Sequence, residues 1–226
     1  MIGARKVMVA ALFALLLLAP WPTVAAPGAS DVSSFYSRNS TETLIRVYED
    51  PARQEWQKPQ EVVDRLSIQP GDVVADIGAG SGYFSTFFAK KVGNGGTVFA
   101  VDTNRDMLDY IRQRAKKESL DTIRPLLAKT DDPLLAKDST DLIFICNTYM
   151  FITGRERYLS RLKDILKSDG RLAIVSYNLV DSPEGPPIHT RVSREKTIRE
   201  VTGTGFVLDA EYYFLPYQHF LVFKKR

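Results

Sequence analysis

The sequence predicts an α/β domain on a mostly parallel sheet that ends in an antiparallel hairpin. Three observations carry this. Short apolar runs alternate with amphipathic helical stretches from residue 72 onward. The apolar runs are continuous rather than alternating, as strands covered on both faces are. Two final strand-like runs lie too close together for a helical crossover, so they pair as a hairpin.

Taken in order, Pro59 begins a helix over Glu61–Leu66, where a proline suits the first turn. Pro70-Gly71 turns the chain into a buried strand, Asp72–Ile77. Gly78-Ala-Gly-Ser-Gly82 follows at once, then a helix over Tyr83–Val92 with Phe84, Phe87 and Phe88 on one face. Asn94-Gly-Gly96 leads into a strand at Thr97–Asp102, and a helix spans Asp106–Glu118. Strands are expected at Thr122–Ala128 and Thr140–Cys146. The helix at Arg155–Lys167 is stopped by Ser168-Asp-Gly170. A strand at Leu172–Tyr177 and a helix at Ser193–Val201 precede the hairpin, Phe206–Phe214 with Gln218–Phe223.

The first 26 residues are of another kind. Arg5 and Lys6 precede an apolar run, Val7–Ala19, then Pro20-Trp-Pro22 and a small-residue end at Ala25-Ala26. This is the layout of a secretory signal. The run is shorter than the ~20 residues of a spanning helix. Cleavage after Ala26 would leave 200 of 226 residues, and export to a periplasmic or secreted location is expected. An uncleaved signal-anchor, with a membrane attachment, is the alternative. The reading divides the chain into a signal segment (1–26), an N-terminal extension (27–58) and one folded domain (59–226). Removing Arg5 and Lys6 takes the net charge from +3 to +1, which gives no support to a charge-driven nucleic-acid binder. The single cysteine, Cys146, excludes an intrachain disulfide. Two histidines and one cysteine, far apart, suggest no metal site. Oligomeric state is not legible.

A strand, glycine turn and helix make a binding site at the carboxyl edge of a parallel sheet. The glycines at 78, 80 and 82 read G-x-G-x-G, one position short of the dinucleotide fingerprint, which argues against a nicotinamide dehydrogenase. Asp76, just before the loop, suits a ligand bearing an ammonium group. Asp102 ends the next strand, where an acid accepts hydrogen bonds from a ribose diol. The expected ligand is therefore a nucleoside with free 2′ and 3′ hydroxyls and an amino-bearing arm.

Val73-Val-Ala-Asp-Ile-Gly-Ala-Gly-Ser-Gly-Tyr-Phe84, Val101-Asp102, Asp131-Asp132-Pro-Leu-Leu135, Asp141–Ile145 and Leu166-Lys-Ser-Asp-Gly-Arg-Leu172 together resemble the motifs of class I S-adenosylmethionine-dependent methyltransferases. The resemblance covers roughly residues 50–226. It implies a Rossmann-like seven-stranded sheet of order 3-2-1-4-5-7-6, with S-adenosylmethionine as cofactor. It places Asp76, Gly78, Gly80 and Gly82 at the methionine end, Asp102 on the ribose and Thr103 beneath the adenine. Asp131 is assigned to the adenine amine, with Asp132 the alternative. Asn147, Tyr149 and Met150 follow the fourth strand at the mouth, with Asn147 toward the cofactor. Tyr149 and His189 are the candidates to act on the acceptor.

The chain also resembles a narrower, little-described bacterial group through Arg53-x-x-Trp56-Gln-x-Pro59, Gly185-Pro-Pro with a following His and Arg, and Leu215-Pro-Tyr-Gln-x-Phe220. That group often carries Asp and then Tyr-His after the fourth strand, where this chain has Cys146-Asn-Thr-Tyr149-Met150. The function expected is methyl transfer to a small-molecule or lipid-like acceptor. A cofactor-binding protein without transferase activity is the alternative.

Overall fold

The computed structural model describes residues 39–226, so the signal-like segment and residues 27–38 lie outside the described residues. Three short helices come first among the described residues: α1 (Thr41–Tyr48), α2 (Arg53–Gln57) and α3 (Pro59–Arg65). Ser40 caps α1 by accepting from the Thr43 N–H, and Pro59 takes the first turn of α3.

Then follow β1 (Val73–Ile77), α4 (Tyr83–Val92), β2 (Thr97–Asp102), α5 (Arg105–Lys117), β3 (Ile123–Leu127) and β4 (Thr140–Cys146). The chain continues through α6 (Arg155–Ile165), β5 (Leu166–Tyr177), α7 (Arg194–Gly203), β6 (Phe206–Tyr212) and β7 (Gln218–Lys225).

The seven strands form one sheet, β3-β2-β1-β4-β5-β7-β6. Five are parallel, and β7 runs antiparallel to both β5 and β6. The expected order and tail hairpin are both present.

Strand pleating sends alternate side chains to opposite faces. Leu142 and Phe144 of β4 join Val74, Val98 and Ala100 beneath α3, α4 and α5. Ile143 and Ile145 join Ala75, Ile77 and Val101 beneath α6 and α7. Both faces are buried, which is why the strands read as unbroken apolar runs. Phe84 and Phe88 of α4 clasp Phe144, with ring centroids 4.8 and 5.1 Å apart. Such pairs add about 0.5–1.5 kcal/mol beyond area burial.

One boundary differs from the sequence reading. α6 ends at Ile165 and β5 begins at Leu166, so Ser168-Asp-Gly170 lies inside the strand rather than after a helix. Pairing jumps from Thr140–Leu166 to Leu142–Arg171, leaving 167–170 as a bulge on the ladder. Gly170 is required there because a Cβ would stand 3.0 Å from the Thr140 carbonyl oxygen.

β1 is the switch point: the chain leaves it toward β2 on one side, and β4 pairs on the other. Ligands in such sheets bind in the crevice outside the carboxyl ends of the strands at this point.

Candidate functional site

A cavity of about 510 Å³ opens at that crevice. It is of the size that holds a small organic ligand. The β1–α4 turn forms its floor. Gly78, Gly80 and Gly82 all have left-handed φ, at 72°, 55° and 77°. A Cβ on Gly78 would stand 2.3 Å from the Thr148 side chain, and one on Gly80 3.1 Å from the Tyr48 ring. The three glycines are therefore set by backbone conformation and close packing, and the loop is tied down from within: the Gly78 and Ala79 N–H groups both bond the Val101 carbonyl, and that of Gly82 bonds the Ala79 carbonyl.

Asp102 organises this loop from β2. Its Oδ2 accepts from the Gly80 N–H at 2.8 Å and its Oδ1 from the Asn104 N–H at 2.9 Å. Burial pushes its carboxyl above the usual range, while the N–H groups of Asn104, Gly80 and Thr103 pull it back. A carboxylate offers about four lone-pair sites, so acceptor capacity remains for a diol. Asp76 is 3% exposed and accepts from the Ser85 hydroxyl at 2.7 Å. Burial raises its pKa to about 7; the charge of Asp102 adds to the rise, while the Ser85 hydroxyl and the Arg53 charge oppose it.

Beyond the loop the walls become aromatic. Trp56, Tyr83, Phe151, Tyr158 and Tyr177 line the cavity with Cys146, Asn147 and Thr148. Trp56 and Tyr177 lie 5.9 Å apart. Asn147 has a left-handed φ of 56°, a conformation that asparagine tolerates. Its side chain is tied to two buried glutamines: Gln218 Nε2 donates to Asn147 Oδ1 at 2.6 Å, and Gln57 Nε2 donates to Gln218 Oε1 at 2.8 Å. The Cys146 thiol is pushed up to about 12, chiefly by burial, so it stays protonated.

The rim is held by Arg191. Its guanidinium donates to the carbonyls of Asn178, Val180 and Pro186 and to the Ser182 hydroxyl, all within 3.0 Å. This gathers residues 178–186 over Tyr177, and Glu184, Gly185 and Pro186 reach the cavity.

Asp76, Gly78, Gly80, Asp102, Thr103 and Asn147 meet at one cavity, as the sequence expects of them. Gly82 caps α4 just behind it. Four other expectations are corrected. Asp131 and Asp132 lie outside the cavity, because the Lys129 N–H bonds back to the Asp132 carbonyl at 3.0 Å and folds the turn outward. They line a separate hollow with Arg157 and Arg161, and Lys129 and Thr130 take their place on the cavity wall. Tyr149 is fully buried: a 3₁₀ turn at Tyr149–Phe151 carries its ring into the core, where its hydroxyl donates to Glu200 at 2.8 Å. Met150 is buried in the same core rather than at the mouth. His189 is exposed on a 3₁₀ turn, Ile188–Thr190, beyond the lining residues.

A Tyr149→Phe variant is expected to lose about 0.5–1.5 kcal/mol of stability with unchanged ligand affinity. Urea unfolding beside calorimetry checks both parts, and a changed affinity would return Tyr149 to the site.

Sequence reasoning missed α1. Leu44, Val47 and Tyr48 form a wall of the cavity. Glu49, just after it, accepts from the Ser81 hydroxyl and from Arg114, both at 2.5 Å. The Ser40 cap before a short apolar stretch was the available signal. The residues set apart as an extension thus belong, from 41 onward, to the site.

A methyltransferase-domain family profile matches residues 68–203, more than half of the chain. The chain belongs to this family. Its motifs, its sheet order and this match make this a domain of the class I, S-adenosylmethionine-dependent methyltransferase type. A ubiquinone/menaquinone biosynthesis C-methyltransferase from Hydrogenovibrio crunogenus is 29% identical over 122 residues, 54% of this chain and 48% of the relative. Methyltransferase GfsG from Streptomyces halstedii is 29% identical over 116 residues, 51% of this chain and 41% of the relative. The chain thus spans about half the length of the curated relatives it matches. The crystal structure of a SAM-dependent methyltransferase from Aquifex aeolicus superposes with a TM-score of 0.77 at 23% identity, covering 82% of this chain and 98% of that one. The class I fold and the glycine loop fit the family cofactor: Asp102 would hold its ribose and Asp76 its ammonium.

Proposed function

We propose that this chain methylates a small, flat, apolar acceptor at the aromatic end of the cavity. The observation that carries the reading is continuity. One cavity runs from the glycine loop and Asp102 to Trp56, Phe151 and Tyr177 without a barrier. When bound, the cofactor supplies an electrophilic methyl group and its own leaving group for in-line displacement. The protein's part is to position both partners and keep water out. Trp56 and Tyr177 give a planar acceptor its stacking surfaces, and α1 adds Leu44, Val47 and Tyr48 to the cavity lining.

The candidate bases are few. The Tyr149 hydroxyl is engaged with Glu200, and the Cys146 thiol stays protonated. Glu184, on the rim segment, is the carboxylate that lines the cavity besides Asp76 and Asp102. An acceptor that is already nucleophilic, such as a phenolate or an electron-rich ring, suits this arrangement. The naming of one relative for quinone biosynthesis supports an acceptor of that shape.

Titration calorimetry with S-adenosylhomocysteine, followed by a radiolabelled-methyl screen against phenolic and quinol acceptors, tests the reading. Absence of binding in folded protein would sink it. Binding with no transfer to any acceptor would favour a cofactor-binding protein without transferase activity. We also propose that residues 1–26 direct export, or anchor the chain if uncleaved. A fusion of residues 1–38 to a reporter that is active only outside the cytosol is expected to give signal, and silence would refute it.

A further inference from the structure

Arg53 is a cation without an anion. Its Nη1 donates to the Tyr48 carbonyl at 2.9 Å, and its guanidinium lies 4.1 Å from the Tyr83 ring centroid and 5.7 Å from that of Phe84. These contacts orient it but carry no formal charge. Its Nε is buried with no acceptor. None of the ion pairs among the described residues includes it. Burying a charged donor without a counter-charge is costly, and such a group persists where a ligand completes it.

Asp76 is the mirror case. It is a buried carboxylate whose hydrogen-bond donors are the hydroxyl and the backbone N–H of Ser85, neither of which carries a charge. Both side chains line the same cavity, close enough for the Arg53 charge to act on Asp76, yet no contact within ion-pair distance joins them. The neighbouring Cys146 thiol is protonated and supplies no anion. A fitting occupant carries an anion and a cation on one carbon, which describes a free α-amino acid group.

We propose that Arg53 and Asp76 together clamp the amino-acid arm of the cofactor, Arg53 taking its α-carboxylate and Asp76 its α-ammonium. The inference rests on the S-adenosylmethionine reading and adds a binding residue from a segment outside the family match. It also gives the Arg53-x-x-Trp56 motif a division of labour. Arg53 faces the cofactor arm, and Trp56, one turn on, faces Tyr177.

The test compares three ligands by calorimetry on the full chain: S-adenosylhomocysteine, its carboxyl methyl ester, and 5′-methylthioadenosine, which lacks the arm. In the unaltered protein the ester is expected to bind about 10- to 100-fold more weakly than the free acid, the usual effect of losing a charge-assisted pair. Arg53→Met should weaken the free acid by a similar factor and leave 5′-methylthioadenosine within about twofold. In that variant the ester and the free acid should bind alike, and Arg53→Lys should recover part of the loss. Equal losses for all three ligands would make Arg53 a support of the cavity wall and overturn the clamp. An ester that binds as well as the acid in the unaltered protein would overturn it without any variant. If the unaltered protein binds none of the three, the cofactor reading itself fails.

Discussion

Asp102→Ala is expected to lower S-adenosylhomocysteine affinity by about 1–3 kcal/mol, roughly 5- to 150-fold. Two losses combine in that figure. The ribose hydroxyls would lose their charged acceptor. The Gly80 and Asn104 N–H groups would also lose theirs, so the glycine loop would no longer be held in its left-handed path. Asp102→Asn separates the two. Its amide oxygen can still accept from one loop N–H, so the loop should persist while the charge is gone, and an intermediate affinity is expected. Calorimetry on both variants checks the ordering. Unchanged affinity in Asp102→Ala would refute the ribose assignment.

Cofactor affinity should also fall as the pH drops below about 7, approaching tenfold per unit. The cause is Asp76, whose pKa burial raises to about 7 against an ordinary carboxylate value of 3.8. Only the ionised form pairs with an ammonium, so below pH 7 binding must first release a proton. The groups acting on Asp76 are the Ser85 hydroxyl, Asp102 and Arg53. His219 does not contribute, since burial holds it near 4 and it bonds Asn178 away from the cavity. Asp76→Asn should remove the pH dependence and weaken binding about tenfold or more at pH 8. The same change should stabilise the ligand-free protein. A carboxyl raised on folding contributes stability below its unfolded pKa and loses it as pH rises through the folded value. Asp76→Asn is therefore expected to melt a few degrees above the unaltered protein at pH 8 and beside it at pH 4. A variant that melts lower at pH 8 would show that the charged form is well solvated in the free protein.

The sheet and its edge acids were legible because their signals are local. Apolar runs mark β1, β2, β4 and β5, and Asp76, the glycines and Asp102 follow from strand ends and turns. What escaped depends on where a chain goes after a strand stops. Asp131 and Asp132 keep a suggestive spacing, but a single backbone hydrogen bond from Lys129 to Asp132 decides which way they face. Tyr149 lies two residues from Asn147, yet a 3₁₀ turn sends one to the core and leaves the other at the cavity. Arg191 shows in the sequence only as the arginine that follows Gly185-Pro-Pro, and its role as the fastener of the rim needs four acceptors that come together only in the fold.

The α1 wall bears on how such a protein should be made. The stretch matched by the family supplies β1 to β5 and the glycine loop, the residues after it add β6 and β7, and the residues ahead of it supply Leu44, Tyr48, Arg53 and Trp56. A recombinant version that begins at residue 68 would keep every strand and forfeit the cavity lining given by Leu44, Tyr48, Arg53 and Trp56. Exchange of residues 41–57 would thus alter the ligand chamber while leaving every strand in place.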